Sequence, residues 1–331
     1  MDKRESNIDV FKGMAIFFVV LGHIPEVPKD VFNYIYSFHV PLFFFCSGYL
    51  MYLSKQNTIN FLYIKKLLKK IMLPFYFAYI FSYLVTLFFE SDKRNFLFFI
   101  EFLKGGLLGS HWMDVNNFPL WFLPLFFVST LTFKYLTKFS IKIIIGIASI
   151  CFFISPHAYL FLKNPEENIF WSINVLFPAI FFMSLGYLMK YLNAIDWFDH
   201  QLSPFVSLTC GGLGLIIAFV FPSEILYIEN YWYLIGAVLA MIFFIWLNKD
   251  NQNNIIRYLG KNSMIILVMH KIINYILLEI GFDKFLKSIN LTGIIYASSF
   301  AVIIIIFSIS PLFVHSLTKK IEEKKLSNLS N

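Results

Sequence analysis

The sequence predicts an all-α integral membrane protein with about ten transmembrane helices and both termini in the cytoplasm. Three observations lead to this prediction. Of the 331 residues, 58% are hydrophobic and only 14% are charged, whereas soluble domains average about 25% charged residues. The apolar residues form runs of about 20, the length that crosses a bilayer as a helix. The basic residues form short blocks between these runs, a pattern typical of cytoplasmic loops.

Ten apolar runs are long enough to be transmembrane helices. They cover residues 10–27, 31–53, 71–89, 118–135, 141–161, 169–191, 203–222, 231–247, 259–280 and 291–315. Because the first run is followed by "HIPEVPKD" and not by small residues, we expect a retained span and no cleaved signal peptide.

Two further segments complete the predicted organisation. The run 96–109 is short and interrupted, so we expect an interfacial or re-entrant helix there. Residues 319–331 are polar, which predicts a short cytoplasmic tail, partly helical, after a transmembrane domain of residues 1–318.

The charge distribution supports this topology. Placing the N-terminus in the cytoplasm assigns most of the 27 Lys and Arg residues to cytoplasmic loops. The net charge of +7 therefore predicts contact with membrane lipids and no nucleic-acid partner. Cys46, Cys151 and Cys210 all lie in apolar runs without metal-binding spacing, which is typical of buried reduced thiols.

The first span contains three ionisable residues. Lys12 and His23 are eleven residues apart, so on a helix they share one face and lie about 16 Å apart along the axis. Asp9 precedes Lys12 by three residues and shares this face. Each of the three has a structural explanation when taken alone. Lys12 can reach the interface, His23 can lie at a helix end, and Asp9 can pair with Lys12. Together, ionisable residues inside a span indicate a functional site.

The second span includes "YSFHVPLFFFCSGYLMY", in which four residues interrupt a Phe-rich run. His39 is either a polar residue at the outer helix end or part of the site. Pro41 predicts a kink. Ser47 with Gly48 permits close helix packing, and Ser47 is also a candidate for substrate binding.

Basic and aromatic residues near other spans are further candidates. Lys65, Lys66, Lys69 and Lys70 precede the third span, where they either set topology or bind phosphates at the cytoplasmic surface. Trp121 lies between two prolines and is either an interfacial aromatic residue or a sugar-stacking one. His270 and Lys271 are expected as an interfacial pair.

Five segments in this order resemble the acyltransferase 3 family of membrane O-acyltransferases, most closely its fucose 4-O-acetylase-like branch. They are "IDVFKGMAIFFVVLGH", "SFHVPLFFFCSGYL", "KKLLKKIMLPF", "LWFLPLFF" and "LGKNSMIILVMH". The resemblance covers about residues 4–272 and implies a core of ten helices. The family's first-helix basic residue and histidine fall on Lys12 and His23. Its paired basic residues fall on Lys66 and Lys69, each a Lys where many members have Arg; the register stays open, because Lys65 and Lys70 are adjacent.

The resemblance implies transfer of an acyl group, usually acetyl from acetyl-CoA, to a hydroxyl of a glycan. On this hypothesis Lys12, Lys66 and Lys69 bind the phosphates of acetyl-CoA, which is a substrate and not a permanently bound cofactor. The extended pantetheine arm is on the order of 15–20 Å long, close to the separation of Lys12 from His23.

At the far end of this arm, His23 acts as general base or forms an acyl-histidine. The remaining candidates have supporting roles. Asp9 orients Lys12, while His39 binds the acceptor or stabilises the oxyanion, and Trp121 stacks on a sugar.

The expected partners are acyl-CoA, a glycan or lipid-linked sugar, membrane lipids and a possible second copy of the chain. The expected location is the bacterial cytoplasmic (inner) membrane. Two other functions remain open: a polysaccharide or solute transporter without catalysis, since buried His and Lys also suit a permeation path, and a membrane scaffold. The ordered motifs favour the enzyme, and no zinc spacing, nucleotide loop or serine-triad elbow is present.

Overall fold

The computed structural model describes residues 3–53, 58–109, 115–161, 169–193, 203–222, 228, 230–248 and 253–329. These residues form α-helices, short 3₁₀ and π turns and connecting segments, and they contain no β-strand. The all-α prediction is therefore confirmed for the described part of the chain.

The first two helices are α1 (Lys3–Gly22) and α2 (Lys29–Leu53). Helix α1 ends five residues before the predicted end of the first span. The reason is local: Pro25 and Pro28 have no backbone N–H to continue a helical hydrogen-bond ladder. The amide of His23 instead donates to the carbonyl of Val20 over 3.1 Å. His23 consequently lies just past the end of α1.

The third span is a continuous helix that begins ten residues earlier than predicted. It consists of α3 (Phe61–Leu67), a π-helical turn (Leu68–Met72) and α4 (Leu73–Phe89). The lysines that were predicted to precede the span are therefore part of its first turns.

The middle of the chain contains helices close to the predicted runs. They are α5 (Phe96–Leu108), α6 (Phe122–Leu136), α7 (Ile141–Ile154), α8 (Leu176–Tyr191), α9 (Pro204–Val220) and α10 (Tyr231–Leu247). A 3₁₀ turn (Phe118–Trp121) leads into α6, a second (Ser155–Phe161) follows α7, and a third (Phe170–Val175) precedes α8. The helix predicted at 96–109 is present as α5.

The ninth predicted span, residues 259–280, is not one straight helix. The chain forms α11 (Asn254–Lys261) and α12 (Ser263–Glu279), which are bent by 82°. The break is at Asn262, whose backbone is not helical (φ −103°, ψ 14°). The first residues of the predicted span therefore belong to a different helix from the rest.

The C-terminal part contains α13 (Phe282–Ser288) and α14 (Gly293–Leu329). Helix α14 starts close to the predicted start of the tenth span and continues through most of the predicted tail. The tail is thus helical to Leu329 and not only in part.

Five helical segments of the described chain are long and apolar enough to cross a membrane, and six if the bent pair counts as one span. Helices α9 and α10 are apolar but shorter. Helix α1 carries Asp9 and Lys12, which lower its hydropathy. Ten spans and cytoplasmic termini therefore stay predictions.

Glycines allow two pairs of helices to pack with their backbones in contact. A Cβ atom at Gly260 of α11 would collide with the carbonyl oxygen of Asp9, and one at Gly13 of α1 with that of Ile256. Likewise, Gly48 of α2 faces the backbone of Met183 on α8. The predicted role of Gly48 in close packing is confirmed, and both contacts fix helices that carry candidate site residues.

Candidate functional site

A large cavity beside the middle of α1 is lined by lysines. Its volume is about 400 Å³. We call it the lysine cavity, since Lys12, Lys66, Lys70 and Lys261 all line it. The last of these was not predicted. It lies at the C-terminus of α11, which the backbone contact with α1 holds next to Lys12.

The π-helical turn determines which lysines face this cavity. Lys66 lies two residues before the π-helical turn, and Lys70 lies within it. Both line the cavity. Lys69, the predicted phosphate ligand, does not line it. Because π turns rotate the following residues relative to a regular helix, this change of register cannot be seen in the spacing of the lysines.

Lys12 is paired in the structure. Its Nζ lies 2.7 Å from Oδ1 of Asp9. This contact fits the predicted role of Asp9 in orienting Lys12. Asp9 lies roughly 20 Å along α1 from His23, at 1.5 Å per residue, so it is far from the histidine.

Ser47 also lines the lysine cavity, next to Cys46. The structure therefore places Ser47 on the lysine side of the site. Cys46 is buried, as expected for a reduced thiol in an apolar run.

A second, much smaller cavity lies at the C-terminal end of α1. Its volume is about 40 Å³, and its polar lining residues are His23, Tyr36 and His39. We call it the histidine pocket. The rest of its wall is apolar and includes Val19, Val40 and Trp121. The structure thus brings together His23, His39 and Trp121, three of the residues predicted from the sequence.

His23 is held by three hydrogen bonds. Its Nδ1 lies 2.6 Å from the carbonyl oxygen of Val19, and because a carbonyl only accepts, Nδ1 carries the proton. Nε2 is then the basic nitrogen, and it accepts from the Tyr36 hydroxyl over 3.3 Å. The backbone carbonyl of His23 accepts from Asn274 Nδ2 over 3.1 Å. Ring orientation and tautomer are therefore both fixed.

His39, on α2, also has its ring bound to a backbone carbonyl. Its Nδ1 lies 2.7 Å from the carbonyl oxygen of Ile35, which leaves Nε2 as an acceptor. The Tyr36 ring lies between the two imidazoles, with centroid distances of 4.9 Å to His39 and 5.9 Å to His23. His39 is only 3% exposed, so it is not a polar residue at a wet helix end.

His270 is a site residue that the sequence analysis placed wrongly at an interface. It is 1% exposed, and its ring centroid lies 5.1 Å from that of His23. Its Nδ1 donates to the carbonyl of Leu267 over 2.8 Å, while its buried Nε2 has no hydrogen-bond partner. His270 lies in the middle of α12, beside His23.

Lys271 approaches the same site through Phe118. Its Nζ lies 5.5 Å from the Phe118 ring centroid, and that ring lies 5.1 Å from the His23 ring. Phe118 is 36% exposed, so it separates His23 from the surroundings at this side of the histidine pocket.

The segment before Phe118 is fixed by two asparagines. Asn117 Nδ2 donates to the Ser82 hydroxyl over 3.0 Å and to the Val268 carbonyl over 3.1 Å. Asn116 Nδ2 donates to Oε1 of Glu90 over 2.6 Å. These bonds tie the segment to both α4 and α12, and so hold Phe118 against His23.

Glu90 is the charged member of this network. Burial acts to raise its pKa, but hydrogen bonds from Tyr275 and Asn116 and the charge of Lys93 outweigh burial. The pKa of Glu90 therefore lies below its ordinary value, and Glu90 is ionised at neutral pH.

Three buried acceptors around His23 lack a hydrogen-bond donor. They are Nε2 of His270, Oδ1 of Asn117 and Oδ1 of Asn274. Buried polar atoms are normally paired, so these three acceptors are free to receive a donor from a substrate. Within the described ranges, no three possible ligands are close enough together to hold a metal ion.

The lysine cavity and the histidine pocket are adjacent. Phe43, Phe122 and Leu267 line both. These three side chains form the neck between the two spaces. Helix α1 runs along both, with Lys12 near its middle and His23 just past its C-terminal end.

Trp121 lies inside this arrangement. It is 6% exposed and lines the histidine pocket. Sugar stacking on Trp121 stays a prediction.

Comparison with protein families agrees with this architecture. The acyltransferase 3 family model, described as an acyltransferase domain, matches residues 5–311. The match covers nearly the whole chain, so the protein belongs to this family of membrane acyltransferases. Neither the comparison with curated proteins nor that with solved structures found a match.

Proposed function

We propose that this protein transfers an acetyl group from acetyl-CoA to a hydroxyl of a cell-surface glycan or lipid-linked sugar. The observation that carries the proposal is the pair of adjoining spaces along α1, one lined by lysines and one by histidines. Membership of an acyltransferase family favours this enzyme over a transporter or a scaffold.

The lysine cavity is the proposed donor site. Acetyl-CoA carries several phosphate charges, and ammonium groups bind phosphates as point charges. Lys66, Lys70 and Lys261 make no ion pair with a carboxylate among the described side chains, so their charges are not already compensated. Lys12, which is paired with Asp9, lies on α1, the helix that leads to His23.

The geometry of α1 fits the length of the donor. Ten residues separate Lys12 from Gly22, or about 15 Å of helix. An extended pantetheine arm is on the order of 15–20 Å long. With its phosphates at the lysines, acetyl-CoA would pass the neck of Phe43, Phe122 and Leu267 and present its thioester at His23.

His23 is the proposed general base. Its Nε2 is the basic nitrogen, and neutral imidazole is suited to take a proton near pH 7. The acceptor hydroxyl gives its proton to Nε2 while its oxygen attacks the thioester carbonyl carbon. The C–S bond then breaks, and the CoA thiolate leaves with that proton. The Tyr36 hydroxyl, 3.3 Å from Nε2 of His23, is a donor that would stabilise the oxyanion. His39, whose Nε2 is an acceptor, would bind the acceptor hydroxyl.

An acyl-histidine is the alternative route. Here Nε2 of His23 attacks the thioester carbonyl and expels the thiolate, and the acceptor hydroxyl then attacks the acyl-imidazole. This route needs a second base for the hydroxyl proton. The unpartnered Nε2 of His270, beside His23, is the candidate for that role.

The acceptor side is the end of α1 that carries His23. If the lysines face the cytoplasm, as the charge distribution predicts, this end faces outward. A glycan or lipid-linked sugar at the outer face of a bacterial inner membrane is then the acceptor, as in the fucose 4-O-acetylase-like branch.

The test is made in intact cells with and without the protein. Surface glycans are extracted and base-labile O-acetyl groups are quantified by proton NMR. We expect acetyl groups with the native protein and none with His23→Ala. His157→Ala, which changes an exposed histidine far along the chain, is the control for expression and folding.

The opposite result would be equal O-acetylation in all strains. Combined with a purified protein that neither binds nor turns over acyl-CoA, it would contradict the proposed enzyme.

A further inference from the structure

The histidine pocket is small compared with most acyl groups that a CoA donor can carry. Its volume is about 40 Å³. By the same measure one water needs about 10–15 Å³, so the pocket holds roughly three water-sized groups. An acetyl group adds only a methyl, a carbonyl carbon and an oxygen. Longer groups such as butyryl or succinyl add at least two further heavy atoms.

The wall of the pocket consists largely of buried apolar side chains. Val19 of α1 is 4% exposed and Val40 of α2 is 9% exposed. Both line the histidine pocket and neither lines the lysine cavity, so they bound the pocket beyond the neck. Because packed interiors yield little to an extra methylene, these valines limit what can enter.

The position of His23 makes this space relevant to the reaction. His23 lines the same pocket, and the backbone carbonyl of Val19 fixes its tautomer. A thioester whose carbonyl is at His23 has its acyl chain in this space or at the neck, where the CoA arm enters. The acyl chain is therefore the part of the donor whose length the pocket can limit.

We propose that the histidine pocket is an acyl-binding pocket that accepts short chains, and that Val19 and Val40 set its length limit. The inference rests on the proposed function and extends it to the class of acyl donor. The neck passes the thin pantetheine arm, and the valines exclude longer acyl groups.

The experiment compares acetyl-, propionyl- and butyryl-CoA as donors for the purified full-length protein. CoA release is followed with a thiol reagent in the presence of glycan acceptor extracted from the host cells. The variants are Val19→Ala and Val40→Ala. Val20→Ala is the matched control, because Val20 is the next residue on α1, is fully buried and lines neither cavity.

For the native protein we expect kcat/KM to fall at least tenfold from acetyl-CoA to butyryl-CoA. In Val19→Ala and Val40→Ala we expect this ratio to shift toward the longer donors by about tenfold, the usual discrimination of a pocket for one methylene. Val20→Ala should keep the native ratio. Since a ratio does not depend on the amount of folded protein, reduced stability does not mimic the effect.

Two results would overturn the inference. One is a native protein that uses butyryl-CoA as well as acetyl-CoA. The other is a native ratio of kcat/KM for butyryl-CoA and acetyl-CoA in both Val19→Ala and Val40→Ala, when both variants still transfer acetyl. Absence of turnover of any acyl-CoA by the native protein is a different outcome, which overturns the proposed function itself and this inference with it.

Discussion

The lysine cavity and the histidine pocket differ by about tenfold in volume, from about 400 to about 40 Å³. The first is lined by long flexible side chains with exposed charges. The second is lined by apolar groups and by imidazoles whose tautomers are fixed by backbone carbonyls. The difference teaches that the two spaces along α1 are suited to different tasks. One suits tolerant binding of phosphates and the other exact positioning of a reacting group.

The largest expected effect is at the histidine pocket. Changing His23→Ala removes the base, and general base catalysis contributes about 10²–10⁴ in rate. We therefore expect kcat to fall by about a thousandfold while the affinity for acetyl-CoA stays near native. Steady-state turnover and equilibrium binding of labelled acetyl-CoA are the two measurements.

A loss of acetyl-CoA binding in His23→Ala would contradict this division of labour. His157→Ala is the control, because this exposed histidine contacts Tyr231 and lines neither cavity. It should keep native turnover.

The next-largest effect is expected at the backbone contact between α1 and α11. Gly260→Ala puts a methyl group against the backbone of α1 at Asp9. Overpacking of this kind lowers the free energy of unfolding by about 1–3 kcal/mol. Thermal unfolding in detergent should show a lower Tm for Gly260→Ala.

Gly146→Ala is the matched control. Gly146 lies inside α7, and a Cβ there meets nothing within 4 Å. The change should keep or raise Tm, since Ala is favoured over Gly in a helix by about 0.5–1 kcal/mol. Equal losses of Tm in both variants would mean that the backbone contact of α1 with α11 is not tight.

A smaller effect is expected at the lysine cavity. Lys70→Gln should raise KM for acetyl-CoA about tenfold, or about 1.4 kcal/mol, with kcat nearly unchanged. The rise should shrink at high salt, because screening already weakens the native contact. Initial rates against acetyl-CoA concentration at two ionic strengths measure both effects.

Lys69→Gln tests the register directly. Lys69 lies beside Lys70 in the chain but does not line the cavity, so KM should stay native. If Lys69→Gln raised KM and Lys70→Gln did not, the spacing inferred from the sequence would be right and the π-helical register wrong.

The smallest effect is expected for Tyr36→Phe. The Tyr36 hydroxyl donates to Nε2 of His23 over 3.3 Å, a long hydrogen bond. A single neutral hydrogen bond contributes about 0.5–1.5 kcal/mol, so kcat should fall about two- to tenfold. A fall in kcat as large as that of His23→Ala would mean that the Tyr36 hydroxyl contributes far more than one neutral hydrogen bond.

Much of the fold was predictable because helix periodicity and apolar length are local signals. The run 231–247 coincides with α10, and the run 31–53 with α2 to within two residues. Lys12 and His23 were predictable as the ends of one face, since eleven residues are close to three turns.

What the sequence did not reveal depends on deviations from regular helices. Lys70, in a π-helical turn, lines the lysine cavity where Lys69 does not, and the bend at Asn262 separates the helix of Lys261 from that of His270. Neither a π turn nor a bend at an Asn has a clear sequence signature. The contact of Lys261 with the lysine cavity depends on a helix pair far apart in the chain.

The central claim is that a donor held by the lysine cavity reaches His23 with its thioester end. The most direct measurement uses a bromoacetyl analogue of acetyl-CoA on a Cys46→Ala background, since Cys46 lines the lysine cavity and competes as a nucleophile. Peptide mass spectrometry then identifies the alkylated residue. The account predicts an adduct on His23 that excess acetyl-CoA prevents. Adducts confined to the lysine cavity, with His23 unmodified, would contradict it.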